Sequence, residues 1–190
     1  MRLETWSGID TFKQPTIAKE TTSMLTQDQL QVLADDFAAN TNPEVVAAVA
    51  SQNANVLRDW YNQDASPECW VFKDTLDVEE VKGEMDWTAD YAAFKDDFPA
   101  ISFLLEGGSY DPRPAKSREA LNAVFAGATT TKSALLLLAI RRASYVEKLF
   151  VGETTGPGGG DGTAEANAAI AAVSGAVSRD EVKEALQLLV

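Results

Sequence analysis

The run Ala134–Ile140, ALLLLAI, constrains the fold of this chain more than any other stretch. These seven consecutive apolar residues lead into Arg141-Arg142, and ASYVEKLFV then continues at helical spacing. Leu135, Leu138, Arg142, Tyr145 and Leu149 would share one face of a helix, and Leu136, Ala139, Ala143, Val146 and Phe150 an adjacent face. The pattern predicts one helix from about Thr131 to Gly152. Its first half is apolar on nearly all sides and so must be surrounded by other elements. A run this short cannot cross a bilayer, which takes ~20 apolar residues. Ala134–Ile140, with Leu137 at its centre, is therefore expected in the core. Arg141–Val151 carries charge that must reach solvent or a partner.

The rest of the chain also reads as helices. Thr26 and Gln29 have capping-box spacing, with Leu25 and Leu30 placed as a hydrophobic staple, so a first helix should run to about Ala39. Asn42-Pro43-Glu44 starts a second by N-cap, first-turn proline and favourable dipole charge. That helix should reach Tyr61, with Ser51-Gln52-Asn53 able to divide it. Cys69–Phe72 is either a strand or a buried loop. Asp77 caps a short helix over Val78–Met85. Asp86 or Thr88 caps the next, which Pro99 should kink or restart and Gly107-Gly108 should end. Ser117 is expected to cap a helix through Phe125. Ser178 and Glu181 repeat the capping box before a last helix over 179–189, with Val177 and Val182 as its staple. The expected fold is all-α or mostly α, a single helical bundle over residues 25–151 with little or no β. Residues 1–24 would be an N-terminal arm, and 152–190 a glycine-rich hinge with a C-terminal arm and helix.

Several function classes become improbable on composition. The chain has no histidine, which removes the usual general base, the usual zinc ligand and every Ser-His or Cys-His pair. A formal charge of −13 opposes binding to nucleic acid or to anionic membranes. Cys69 is the lone cysteine, so no intramolecular disulfide forms. It sits in an apolar run beside acids and should be an inert thiol with a raised pKa. The adjacent pairs Asp35-Asp36 and Asp96-Asp97 point ~100° apart on a helix and do not form a shared acid site. Gly152–Thr163 lacks the Lys-Ser/Thr of a phosphate loop and the strand that precedes a dinucleotide loop. No catalytic residue, cofactor or metal site is expected. With no apolar leader or membrane span, a soluble protein is expected.

Two features favour interaction. Residues 1–24 are polar but carry Trp6, Phe12 and Ile17, which suits either a plain tail or an arm that orders on a neighbouring subunit. Charge is also segregated. Twelve acids oppose three lysines between Asp59 and Asp97, whereas seven bases oppose three acids between Ser109 and Lys148. The two segments either compensate each other within one subunit or dock the basic side of one copy on the acidic side of the next, as in a closed ring. The candidate interface residues are Trp6, Phe12, Arg141, Arg142, Tyr145 and Lys148.

Trp70–Lys73, Asp86-Trp87-Thr88, DPRPAKSREALNAVFAG (111–127), RRASYVEKLFVGETTG (141–156) and SRDEVKEAL (178–186) fall in a fixed order. Together they resemble a family of small α-helical structural proteins of tailed-bacteriophage virions, most specifically at Glu147–Gly152. The resemblance spans roughly residues 25–187. Arg142-Ala143-Ser144 and the longer glycine loop depart from the family pattern, and residues 1–24 have no counterpart in it. It implies a particle component, and a head-to-tail connector, or adaptor, is the position that best suits a small helical protein with polar arms. Such a protein would form a ring of about twelve copies with itself. It would contact the portal protein and tail or head-closure proteins, and let genomic DNA pass without specific binding. Its place would be the head-tail junction, after assembly in the bacterial cytoplasm. The alternatives are a head decoration or tail-completion protein and, from another class, an acidic DNA mimic or regulator.

Overall fold

The computed structural model describes residues 25–151 and 160–190. The N-terminal arm, with Trp6 and Phe12, and most of the proposed hinge lie outside the described residues. Within them the chain is mostly α-helical. In chain order it forms α1 (Gln27–Ala39), α2 (Pro43–Ala50), α3 (Ala54–Tyr61), β1 (Trp70–Phe72), β2 (Leu76–Asp77), α4 (Val78–Gly83), α5 (Tyr91–Phe94), α6 (Phe98–Leu105), β3 (Ser109–Tyr110), α7 (Ala115–Val124), α8 (Thr129–Leu138), β4 (Ile140–Arg142), α9 (Tyr145–Leu149) and α10 (Arg179–Gln187). The expectation of a single bundle is corrected. Two apolar cores form, and two small antiparallel sheets accompany them.

Local chemistry sets most of the helix starts. At α1, Thr26 Oγ1 accepts from the Gln29 N–H, and Gln29 Oε1 accepts from the Thr26 N–H at 2.9 Å. Ser178 and Glu181 make the same exchange at α10. Asn42 caps α2 and Asn53 caps α3, so Ser51–Asn53 does divide the second helix. Asp77 caps α4. A 3-10 turn over Lys95–Asp97 separates α5 from α6, which restarts with Pro99 in its first turn, where a missing N–H costs nothing. Two cap assignments need correction. Asp86 holds a turn at Thr88 and Ala89 instead of starting α5, and α7 begins at Ala115, before Ser117. The acidic cap of α8 comes from far away. Asp90, itself buried, accepts from the Thr131 N–H at 2.7 Å.

The first core is built from α1, α2, α3, α9 and α10 around Leu33, Phe37, Leu57, Tyr61, Phe150 and Val182. Phe37 meets Tyr61 edge-on at 5.1 Å, and burial of each such ring contributes about 2–3 kcal/mol. The second core, under α4, α6, α7 and α8, gathers Leu76, Val81, Ile101, Leu121, Phe125 and Leu135. β1 pairs with β4 in the register Trp70↔Arg142, Val71↔Arg141, Phe72↔Ile140, and joins the two cores through a small cluster that includes Cys69 and Val71.

The predicted helix Thr131–Gly152 is not continuous. Ser144 and Glu147 form a third capping box, which holds Ser144 at φ −74° and ψ 169°, an extended conformation that no helix can pass through. The chain therefore leaves α8, crosses as β4 and restarts as α9. Nor is 160–190 a projecting arm. The Ala169 N–H donates to Trp70 O at 2.8 Å and the Phe72 N–H to Ala169 O at 3.0 Å. The Asn62 side-chain amide clasps both backbone groups of Val177, and α10 packs on α1 and α3. Val173, Val177, Val182 and Leu186 bury too much apolar surface for the segment to stand free.

Candidate functional site

The four candidate residues within the described region all lie on β4 and α9, and each finds a partner inside the chain. Arg141 leaves β4 toward Glu147, the third residue of α9. Its Nη1 donates to Glu147 Oε2 at 2.7 Å and its Nη2 to Oε1 at 2.5 Å. Glu147 is 2% exposed and also accepts from the N–H groups of Gly175 at 2.8 Å and Ser144 at 2.9 Å. Burial opposes its charge, but the Arg141 guanidinium and the two backbone N–H groups outweigh that, so its pKa lies below the ordinary 4.5. One carboxylate thus ties β4, the start of α9 and the C-terminal segment together.

Arg142, Tyr145 and Lys148 converge on the loop between α3 and β1. Arg142 faces Asp64 at 3.6 Å and Glu68 at 3.3 Å. Tyr145 stacks on Trp60 at 4.0 Å and its hydroxyl donates to Ser66 O, while Lys148 Nζ donates to Pro67 O at 2.9 Å. Arg113 adds a second cross-link between the basic and acidic segments, reaching Asp74 at 3.0 Å and Asp111 at 2.9 Å. Arg118 donates to the carbonyls of Pro112 and Arg113 and lies over the Phe72 ring at 4.4 Å. Arg142 and Arg113 thus compensate acids of the 59–97 segment within one subunit.

Sequence reasoning missed the surface that stays apolar. Phe103 on α6 is 77% exposed and Leu137 on α8 is 57% exposed, with Leu136, Trp87 and Tyr91 also exposed. α6, FPAISFLL, has no charged residue, yet only Ile101 is buried. Its lack of any polar stripe was a readable signal, because a helix apolar all round expects cover on all sides. Against α6 lies a groove of 290 Å³ formed by Met85, Trp87, Phe98, Ile101 and Leu105, with Lys82 and Ser102 also lining it. Trp87 stacks on Phe98 across it at 5.7 Å. Glu79, Glu80 and Glu84 on and just after α4, and Asp96 and Asp97 before α6, are exposed. The lysines among them are already paired, Lys82 with Glu79 and Lys95 with Asp96.

Cys69 is buried, and burial pushes its thiol pKa up. Gly162 covers it at φ +74°, and a Cβ there would come within 2.8 Å of the sulfur. The end of the glycine-rich stretch is thus a close-packed lid over an inert thiol. Among the described residues no cluster of three or more acids or cysteines is placed to hold a metal ion, and no helix is long and apolar enough to cross a membrane. No protein-family model, curated protein or solved structure matches the chain.

Proposed function

We propose that this chain is a bacteriophage virion structural protein, a head-to-tail connector subunit that forms a ring on the portal around the DNA channel. The observation that carries the proposal is the exposed apolar face of α6 and α8. Phe103 on α6 and Leu136 and Leu137 on α8 are large apolar side chains left exposed on helices of the second core, which suits surface meant for another protein. The exposed carboxylates around α4 and the Lys95–Asp97 turn suit a wall past which DNA moves, since they repel the phosphate backbone that basic surfaces hold. The resemblance at Glu147–Gly152 supports a virion component in general.

Arg141, Arg142 and Lys148 make their hydrogen bonds and ion pairs within the subunit, and the exposed apolar side chains of α6 and α8 are the surface we put forward for the ring contact. Light scattering on the purified full chain, alone and mixed with its portal, tests the proposal. A ring-sized assembly or a stable complex with the portal is expected. A monomer that never joins a portal would rule the connector out, and capture of a DNA-binding protein that DNA displaces would point to mimicry.

A further inference from the structure

A cleft of 440 Å³ opens where α1, α3 and α9 meet, on the first core. That volume lies within the ~300–1,000 Å³ of small-molecule sites. Several of its polar groups are already held in place. The Asn42 N–H donates to Asn40 Oδ1 at 2.9 Å, which fixes the orientation of the Asn40 amide. Asn40 Nδ2 then donates to Tyr61 Oη at 3.2 Å and to Asp36 Oδ2 at 3.4 Å. The buried Tyr61 hydroxyl donates to the same Asp36 oxygen. Burial first, and then that bond, push the Tyr61 pKa up, so the hydroxyl keeps its proton. Asp36 Oδ1 is left with no donor among the described residues.

Lys148 of α9 lines the same cleft. Its ammonium donates one N–H to Pro67 O at 2.9 Å and has two more to offer. Among the described residues neither Asp36 nor Lys148 has an ion-pair partner, and the two do not pair with each other. Lys82, Lys95 and Lys183, by contrast, each hold an acid, at 2.7, 2.7 and 2.9 Å. The rest of the lining is largely apolar, from Leu149 and from Tyr145 stacked on Trp60 at 4.0 Å. We propose that this cleft binds a zwitterionic amino acid, its ammonium on Asp36 Oδ1, its carboxylate on Lys148 Nζ and its hydrocarbon body against Tyr145 and Leu149. A ligand with a single charge would satisfy one of these groups and oppose the other, whereas a zwitterion complements both. Both contacts would be charge-assisted hydrogen bonds, the strong kind, and the anchored Asp36 carboxylate has little ordering left to lose. The site does not depend on assembly into a ring.

Titration calorimetry on the full chain tests it. The probes are 6-aminohexanoate and its isomer L-leucine, which carry the same two charges at different spacing, with hexylamine and hexanoate as single-charge controls. At least one of the two amino acids should bind in the sub-millimolar range, ~10-fold or more tighter than either control. Asp36→Asn and Lys148→Met remove one charge each and keep the shape of the side chain. Each should weaken that binding at least ~10-fold, as the loss of one hydrogen bond to a charged group requires. Lys183→Met, on the outer side of α10, should bind as wild type does, and circular dichroism verifies that all three variants fold. Hexylamine or hexanoate binding as tightly as the amino acids would overturn the zwitterion. Unchanged affinity in both Asp36→Asn and Lys148→Met would overturn the cleft as the site. No binding of either amino acid up to ~10 mM would overturn the proposal as a whole.

Discussion

α8 and the segment that follows it make an instructive pair. By composition Ala134–Ile140 belongs in a core, and Arg141–Phe150, with its charges and aromatics, belongs on a surface. The fold keeps Leu135, Ala139 and Ile140 buried but departs from this at particular positions. Leu136 and Leu137 face outward, while Val146, Glu147 and Phe150 are among the most buried residues in the chain. Apolar content alone decides neither case. Among the described residues α8 lies against the second core, and Leu135 and Thr131 are buried on the side that touches it. α9 is inserted among α1, α3 and the C-terminal segment, so even its glutamate is almost wholly buried. A buried carboxylate is tolerated when a guanidinium and backbone N–H groups satisfy it, whereas leucines stay outside when no second layer covers them.

The sharpest way to break this contrast is to remove the support of the buried charge. Arg141→Leu leaves Glu147 uncompensated and should cost about 3–5 kcal/mol in urea unfolding. A loss below 1 kcal/mol would mean that Arg141 is the surface residue its charge suggests. Phe150→Ala, which opens a cavity in the first core, should cost about 3 kcal/mol.

Acid titration comes next in size. The pKa of Glu147 is lower folded than unfolded, so its stabilisation is fully present above the ordinary 4.5 and is lost as pH falls through the depressed folded value. Stability of the wild-type chain should therefore drop more steeply on the acid side than that of Glu147→Gln. Parallel curves for the two would show that the carboxylate is not held as its hydrogen bonds indicate.

Arg142→Ala should change stability by less than about 1 kcal/mol, because its pairs with Asp64 and Glu68 are solvent-exposed. Leu137→Ala should have the smallest effect on the fold, within about 0.5 kcal/mol. A loss of 2 kcal/mol or more there would restore Leu137 to the core.

What could be read from the sequence was what neighbouring residues settle among themselves. Thr26 with Gln29, Asn42 with Pro43, and Ser178 with Glu181 each complete their bonds within one turn, so spacing alone located those helix starts. Ser144 with Glu147 obeys the same rule, and its signal was present but masked by the apolar run before it. The remaining features depend on partners far along the chain. β4 exists because Trp70–Phe72 lies beside it, and α8 is capped by Asp90 from another segment. Residues 160–177 looked like an arm because their small side chains carry no periodic pattern. The contacts that seat them, Ala169 with Trp70 and Phe72 and Asn62 with Val177, are made mostly by backbone groups, which every sequence contains. The outward turn of Leu136 and Leu137 could not be read, because it depends on which elements of the described fold pack on α8.

We propose that this chain meets its neighbours through the exposed apolar side chains of α6 and α8, while Arg141 and Glu147 tie the fold together. Light scattering on full-length wild type, Phe103→Asp and Leu137→Asp, with circular dichroism to verify folding, tests it most directly. Wild type should assemble into multi-subunit particles, and both variants should be folded monomers. A wild type that is monomeric at every concentration, or variants that assemble as wild type does, would contradict the account.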